Sequence, residues 1–261
     1  MKKVLLLSLT VFIATSLSAQ FYAGFGVGYG MGASKRVNGR EYTDNSRVNI
    51  YGSYGEGFNA NLKLGFMFSE NIGFELGTSY LIGSSQTKEK SEYILQEAKS
   101  SGLRLAPQLV IKLDNGLYSR FGMIVPVMGK TVITNTNDHY DPTGFGVVFV
   151  KQESTMEAKG SFSMGFIGAI GYAYALSDNM DLFAEVEYIG MSIKSGSAKL
   201  TQYDVDGKDQ LEGMKTFYKE YEFVDEVTSD DNKNMDEAGK GLKQKAPFSS
   251  IGLNIGIVMK F

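Results

Sequence analysis

The chain of 261 residues has no Cys, no Trp, a single His and only four Pro. Without cysteine it has no disulfide framework, no zinc-thiolate site, no thiol nucleophile and no lipidated N-terminal cysteine. A surplus of charge is also missing: 26 basic residues against 29 acidic ones give a formal charge of -3, which leaves no basic footprint for nucleic acid. Beyond residue 19 no uninterrupted apolar run reaches the roughly 18 to 20 residues a helix needs to cross a bilayer. What the chain does have is 31 Gly, 15 Tyr and 17 Phe, and its 43% hydrophobic content is too high for a disordered polymer. A mature chain of this kind enters a membrane as strands or not at all.

Lys2 and Lys3 precede a mostly apolar stretch over 4–14, and Thr15, Ser16, Leu17, Ser18 and Ala19 follow, the layout of a secretory signal peptide. Residues 1–19 are therefore expected to be removed on export, with cleavage after Ala19. Residues 20–261 are expected to form the mature domain.

Eight segments alternate with period two, the signature of strands with one apolar face. They run over 21–31, 58–68, 72–82, 103–113, 117–127, 162–174, 181–188 and 251–261. In the first, Phe21, Ala23, Phe25, Val27, Tyr29 and Met31 alternate with Gly24, Gly26, Gly28 and Gly30. In the last, Leu253, Ile255, Ile257, Met259 and Phe261 alternate with Asn254, Gly256 and Lys260. A soluble sandwich would alternate too, so the links decide. Those after the second, fourth and sixth segments are a few residues long, whereas 32–57, 83–102, 128–160 and 194–247 are long. Short turns on one side and long loops on the other are the mark of an outer-membrane barrel, whose even strand count puts both termini on the periplasmic side.

Aromatics give an independent check, because such barrels carry a girdle at each interface. Tyr29, Phe58, Tyr80, Phe162, Tyr188 and Phe248 fall at the long-link ends; Phe21, Phe68, Phe74, Tyr172, Tyr174 and Phe261 fall at the short-turn ends. The reading is all-β: an eight-stranded antiparallel up-and-down transmembrane β-barrel. A ten-strand alternative would recruit 199–205 and 216–224, which otherwise extend the flanking strands or form a hairpin above the membrane. Pro107 and Pro126 lie inside strands, where each lacks a ladder donor, so a bulge or slip is expected in that hairpin.

The alternating strands, the short turns and the terminal Phe261 resemble the small OmpA/OmpX-type outer-membrane β-barrel family over nearly all of the mature chain. The resemblance implies residence in outer-membrane lipid. It also implies that the last strand, through Leu253, Ile255, Ile257, Met259 and Phe261, is what the outer-membrane assembly machinery recognises. No peptidoglycan-binding domain is seen after the last strand, so that part of the OmpA-type role is not expected here.

An eight-stranded barrel has an interior about wide enough for side chains to fill. Lys63, Glu75, Arg104, Arg120, Glu185 and Glu187 occupy inward positions with balanced signs, and most lie at similar depth. They are expected to reach toward the glycine wall of the first and last strands as a compensated charge layer that plugs the lumen. The plainer reading is a hydrated polar interior. In the long links, His139 with Asp138 and Asp141 forms no catalytic constellation by adjacency alone, and Asp204, Asp206, Asp209 and Glu212 lack EF-hand spacing. No catalytic residue, cofactor or metal is therefore expected. Phe217, Tyr218, Tyr221 and Phe223 could supply contact area for an extracellular ligand. The expected role is a monomeric, non-enzymatic envelope scaffold with loops for surface interaction or adhesion; the alternative is a narrow porin-like channel for ions or small solutes.

Overall fold

A computed structural model describes residues 20–143 and 146–261. The expected signal peptide, 1–19, lies outside the described residues. The chain forms β1 (Gln20–Gly32), β2 (Val37–Thr43), β3 (Ser46–Tyr51), β4 (Gly57–Met67), β5 (Ile72–Gly83), β6 (Gln86–Lys90), β7 (Ile94–Lys112), β8 (Leu117–Thr143) and β9 (Gly146–Gly160). It continues with β10 (Gly165–Ser177), β11 (Met180–Gly190), β12 (Ser192–Val205), β13 (Lys208–Asp209), α1 (Thr216–Lys219), β14 (Glu220–Val224), β15 (Gly239–Leu242), β16 (Lys245–Pro247) and β17 (Ser250–Lys260).

Eight of these strands pair antiparallel in the ring β1–β4–β5–β7–β8–β10–β11–β17 and back to β1. Tyr22 faces Lys260 and Gly32 faces Ser250 across the closing seam. Closure joins the first strand to the last, so almost every backbone donor in the wall has a neighbouring strand to meet, as the hydrocarbon demands; the exception is 125–130 of β8 on the side of β10. Alternation then sorts side chains by face: Leu62 and Leu64 are exposed while Lys63 between them is 3% exposed. Tyr29 and Phe58 meet edge to face, with centroids 4.9 Å apart, at the long-link end, and Phe66 contacts Phe21, Phe68 and Phe74 at the short-turn end.

The long links are mostly strand. β2 and β3 form a hairpin, β6 pairs with the upper part of β7, and β8 and β9 continue as a hairpin well past the barrel rim. β12 prolongs β11 and pairs with β9 and β14, so 199–205 and 216–224 lie above the ring and add no barrel strand. Asp206 and Gly207, both at positive φ, make the tight turn between β12 and β13.

Two sequence expectations need correction, and the plainer reading of the interior needs a qualification. The sixth barrel strand starts at Gly165, not at residue 162, because 161–164 is drawn toward β12: the Ser161 amide donates to the Lys194 carbonyl at 2.8 Å, and Ser163 Oγ accepts from the Lys194 amide at 3.1 Å. Phe248 is not a girdle residue; it is buried in the mouth against Tyr54, with centroids 5.5 Å apart. The interior is not uniformly polar: Ile124, Ile167, Ile189, Met191, Ala98 and Ala106 join Tyr54 and Phe248 in an apolar cluster. The proline hairpin does carry an irregularity, since Leu103 pairs with Met128 but Arg104 with Pro126.

Candidate functional site

β11 projects Glu185 inward midway along the ring, where four groups donate to it. Lys63 Nζ from β4 lies 2.9 Å from Oε2, the Tyr118 hydroxyl from β8 donates at 2.7 Å, and Asn254 Nδ2 from β17 reaches Oε1 at 3.1 Å. Arg120 from β8 completes the set with Nε at 3.0 Å and Nη2 at 2.5 Å. Arg120 also donates to Glu187 Oε2 at 2.5 Å and to Gln108 Oε1 at 2.8 Å, and its Nη1 is 3.7 Å from Glu75 Oε1. The Tyr22 hydroxyl donates to Glu75 Oε2 at 3.0 Å. Charge-assisted bonds of this kind are the strong ones, and inside a narrow lumen they are screened little by salt.

Strand identity explains why so many long side chains fit. β10 turns only Ala169 and Gly171 toward them at this depth, and a Cβ on Gly171 would stand 2.5 Å from the Tyr118 ring. The glycine wall of β1 and β17 serves a different neighbour from the one expected. A Cβ on Gly26 would meet the Phe183 ring at 2.7 Å, and one on Gly256 would meet the same ring at 2.6 Å. Phe183 fills that space and carries Lys63 Nζ 3.8 Å above its centroid, a cation–π contact.

Of the six lumen residues proposed from sequence, Lys63, Glu75, Arg120, Glu185 and Glu187 meet in this cluster. Arg104 stands one step toward the long-link end, donating to Asn59 Oδ1 and, at 3.1 Å, to Ser79 Oγ. Gln108, Tyr118 and Asn254 were legible as inward positions but not as members of a charge network, because a neutral side chain gives no sign to match. Tyr22 and Phe183 were hidden beside lipid-facing Phe21 and Leu182; a run of consecutive apolar residues within an alternating strand is the signal that would have exposed them.

The cluster divides the lumen. Toward the short turns lies a cavity of about 720 Å³ whose lining includes Lys112, Tyr118, Asp181 and Lys260, with Lys260 and Asp181 paired at 2.7 Å. Toward the long links lies one of about 1120 Å³. The two share no lining residue.

In the long links, His139 sits on β8 opposite Val150, and the Asp138 amide donates to the Tyr93 carbonyl at 2.7 Å; the side chain of Asp141 lies outside the described residues. Asp206 Oδ1 accepts from the Lys151 amide at 2.9 Å and Asp209 Oδ1 from the Leu211 amide at 2.7 Å, so these carboxylates hold turns. Among the described residues no group of three or more His, Cys, Asp or Glu is placed to hold a metal ion. Phe217 and Tyr218 pack edge to face with centroids 5.1 Å apart, while Phe223 lines the larger cavity.

Residues 4–214 match the model of the outer membrane protein beta-barrel domain. The chain belongs to that family. This outer membrane barrel accordingly lies in the bilayer of the outer membrane, with its apolar ring surface against lipid. No curated protein sequence matches it. Among solved structures, the attachment invasion locus protein Ail of Yersinia pestis is 10% identical, with 93% of this chain and 97% of that chain covered and a TM-score of 0.35. CarO of Acinetobacter baumannii is 13% identical, with 91% and 97% covered and a TM-score of 0.35. CarO2 of the same organism is 12% identical, with 93% and 99% covered and a TM-score of 0.36.

Proposed function

We propose that this barrel is a non-enzymatic, non-conducting envelope scaffold that holds its long β-extensions on the outer face of the membrane for surface contacts. The observation that carries the reading is the Glu185 cluster: Lys63, Arg120, Tyr118 and Asn254, from three strands, converge on one buried carboxylate between two separate cavities. An ion crossing the lumen would have to break several of these bonds in a space with little water to replace them. The extensions supply the outward surface, since β8 and β9 rise as a paired hairpin and β12 and β14 widen it. The chain acts as a monomer in this reading. Its C-terminal strand, with Leu253, Ile255, Ile257 and Met259 facing lipid and the Phe261 amide bonded to the Phe21 carbonyl at 2.9 Å, is the handle for the assembly machinery.

The test is planar-bilayer conductance of the refolded protein, with folding checked by the mobility difference between unheated and heated samples on a gel. The scaffold reading expects a silent barrel. Reproducible current steps that change when Glu185 or Lys63 is replaced would instead make the chain a narrow channel gated by charge.

A further inference from the structure

The larger cavity has a composition that neither a scaffold nor a plug requires. Its lining contains seven basic residues and no Asp or Glu, in a chain with more acidic residues than basic ones. Arg36, Lys88, Arg104, Lys194 and Lys245 are among them, while Lys130 is already held by Glu157 at 2.5 Å. Apolar side chains make up much of the remaining wall: Leu81, Ile133, Met156, Met191, Ile193 and Phe223.

Among the described residues, two buried donors in this lining lack acceptors. Arg104 is 3% exposed, and its Nη1 has no hydrogen-bond partner; the acceptors it does have, on Asn59 and Ser79, are neutral. Glu187, an acidic residue of the layer below, is held by Arg120. Asn38 is 5% exposed and its Nδ2 is likewise unpartnered, while its Oδ1 accepts from Lys88 Nζ at 3.2 Å. Buried polar groups are normally satisfied, and a buried cation with neutral acceptors calls for a negative charge.

The wall beside this site is also open. β8 pairs Ile124 with Gly165 of β10 and then Thr131 with Ala158 of β9, so among the described residues 125–130 has no ladder partner on that side. The facing stretch, 161–164, is held by Lys194 instead. Val127, Met128 and Phe162 line both the cavity and this slot, and all three are exposed.

From these observations we infer that the cavity binds one amphipathic organic anion, with a singly charged oxyanion head, carboxylate or phosphodiester, on Arg104, Asn38 and Lys88 and an apolar body running toward the slot at Val127, Met128 and Phe162. The volume of about 1120 Å³ lies just above the roughly 300–1,000 Å³ that small-molecule sites use. Cations focus an anion into the cavity, and the apolar wall discriminates against small inorganic anions.

The test uses the full mature barrel in phosphatidylcholine nanodiscs, with decanoate as the probe and empty discs to subtract partitioning. Saturable binding of one decanoate per barrel is expected, with weaker binding of decanol and none of decyltrimethylammonium. Arg104→Met is expected to weaken decanoate binding by about tenfold or more, the size of one lost charge-assisted hydrogen bond, and to leave decanol binding unchanged. Lys88→Gln, at the half-buried mouth, gives a second reading should the Arg104 variant fail to fold. Adding phosphatidylglycerol to the discs separates sources: competition assigns the head group to a bilayer lipid, and its absence assigns it to a solute from water. Decanoate uptake no greater than in empty discs, equal affinity for decanoate and decanol, or no change in the folded variants would overturn the inference. Conductance is read separately, so a leaky barrel that still binds decanoate would remove the plug and keep this site.

Discussion

Among single residues, Glu185 differs from the other inward carboxylates in being bonded to two cations, a phenol and an amide at once. Replacing it with Ala leaves Lys63 and Arg120 buried with fewer counter-charges, a change that costs about 3–5 kcal/mol when a buried pair loses one member. The unfolding free energy from urea titration should fall accordingly, while Glu157→Ala, whose partner Lys130 is exposed, should lower it by about 1 kcal/mol or less. Tyr54 offers a pH test outside the membrane-spanning strands. Burial pushes its phenol from the ordinary 10.0 up to about 12, so the unfolded chain ionises first. The stabilisation from keeping this phenol neutral is complete below pH 10 and is lost as pH rises through about 12. Urea midpoints followed across that window should fall less steeply in Tyr54→Phe than in the parent.

Among elements, the barrel strands were legible because a wall with lipid on one side and a filled lumen on the other forces period two on each of them. Their ends were less legible. Phe162 to Gly165 reads as the start of a continuous alternation, yet the chain breaks there because Ser163 captures the Lys194 amide, and the proline-bearing β8 next to it carries no donor at Pro126. The long links looked like solvated loops because their charges obscure the pattern, but β8 and β9 pair from Thr131 opposite Ala158 to Thr143 opposite Gly146. A deletion of 138–150 removes only the tip of that hairpin, along with the single histidine. The heat-modifiable gel shift should survive it, because paired tips contribute little to the ring below.

For the whole molecule, the bilayer acts as the solvent that decides which face of each strand is outside. Leu64 and Lys63 are neighbours in β4 with opposite environments, 52% and 3% exposed. Leu64→Arg places a charge in lipid and should destabilise the barrel by about 2–4 kcal/mol if it lies near the midplane. The same substitution should matter far less at Phe261, beyond the end of β17, and the pair of urea titrations in vesicles reads the difference directly.

The sequence by itself determined eight alternating segments, the alternation of short and long links, most lipid-facing residues and the charges that point inward, since all of these follow from periods and spacings along one strand at a time; that 199–205 and 216–224 add no barrel strand was decided by their pairing above the ring. Only the tertiary structure decided which inward groups touch. The stagger between neighbouring strands brings Glu185 of β11 beside Lys63 of β4, 122 positions away, sets Phe183 against Gly26 and Gly256, and leaves Arg104 above the cluster in a cation-lined cavity. Those contacts depend on the shear and closure of the ring, and no single strand carries that information.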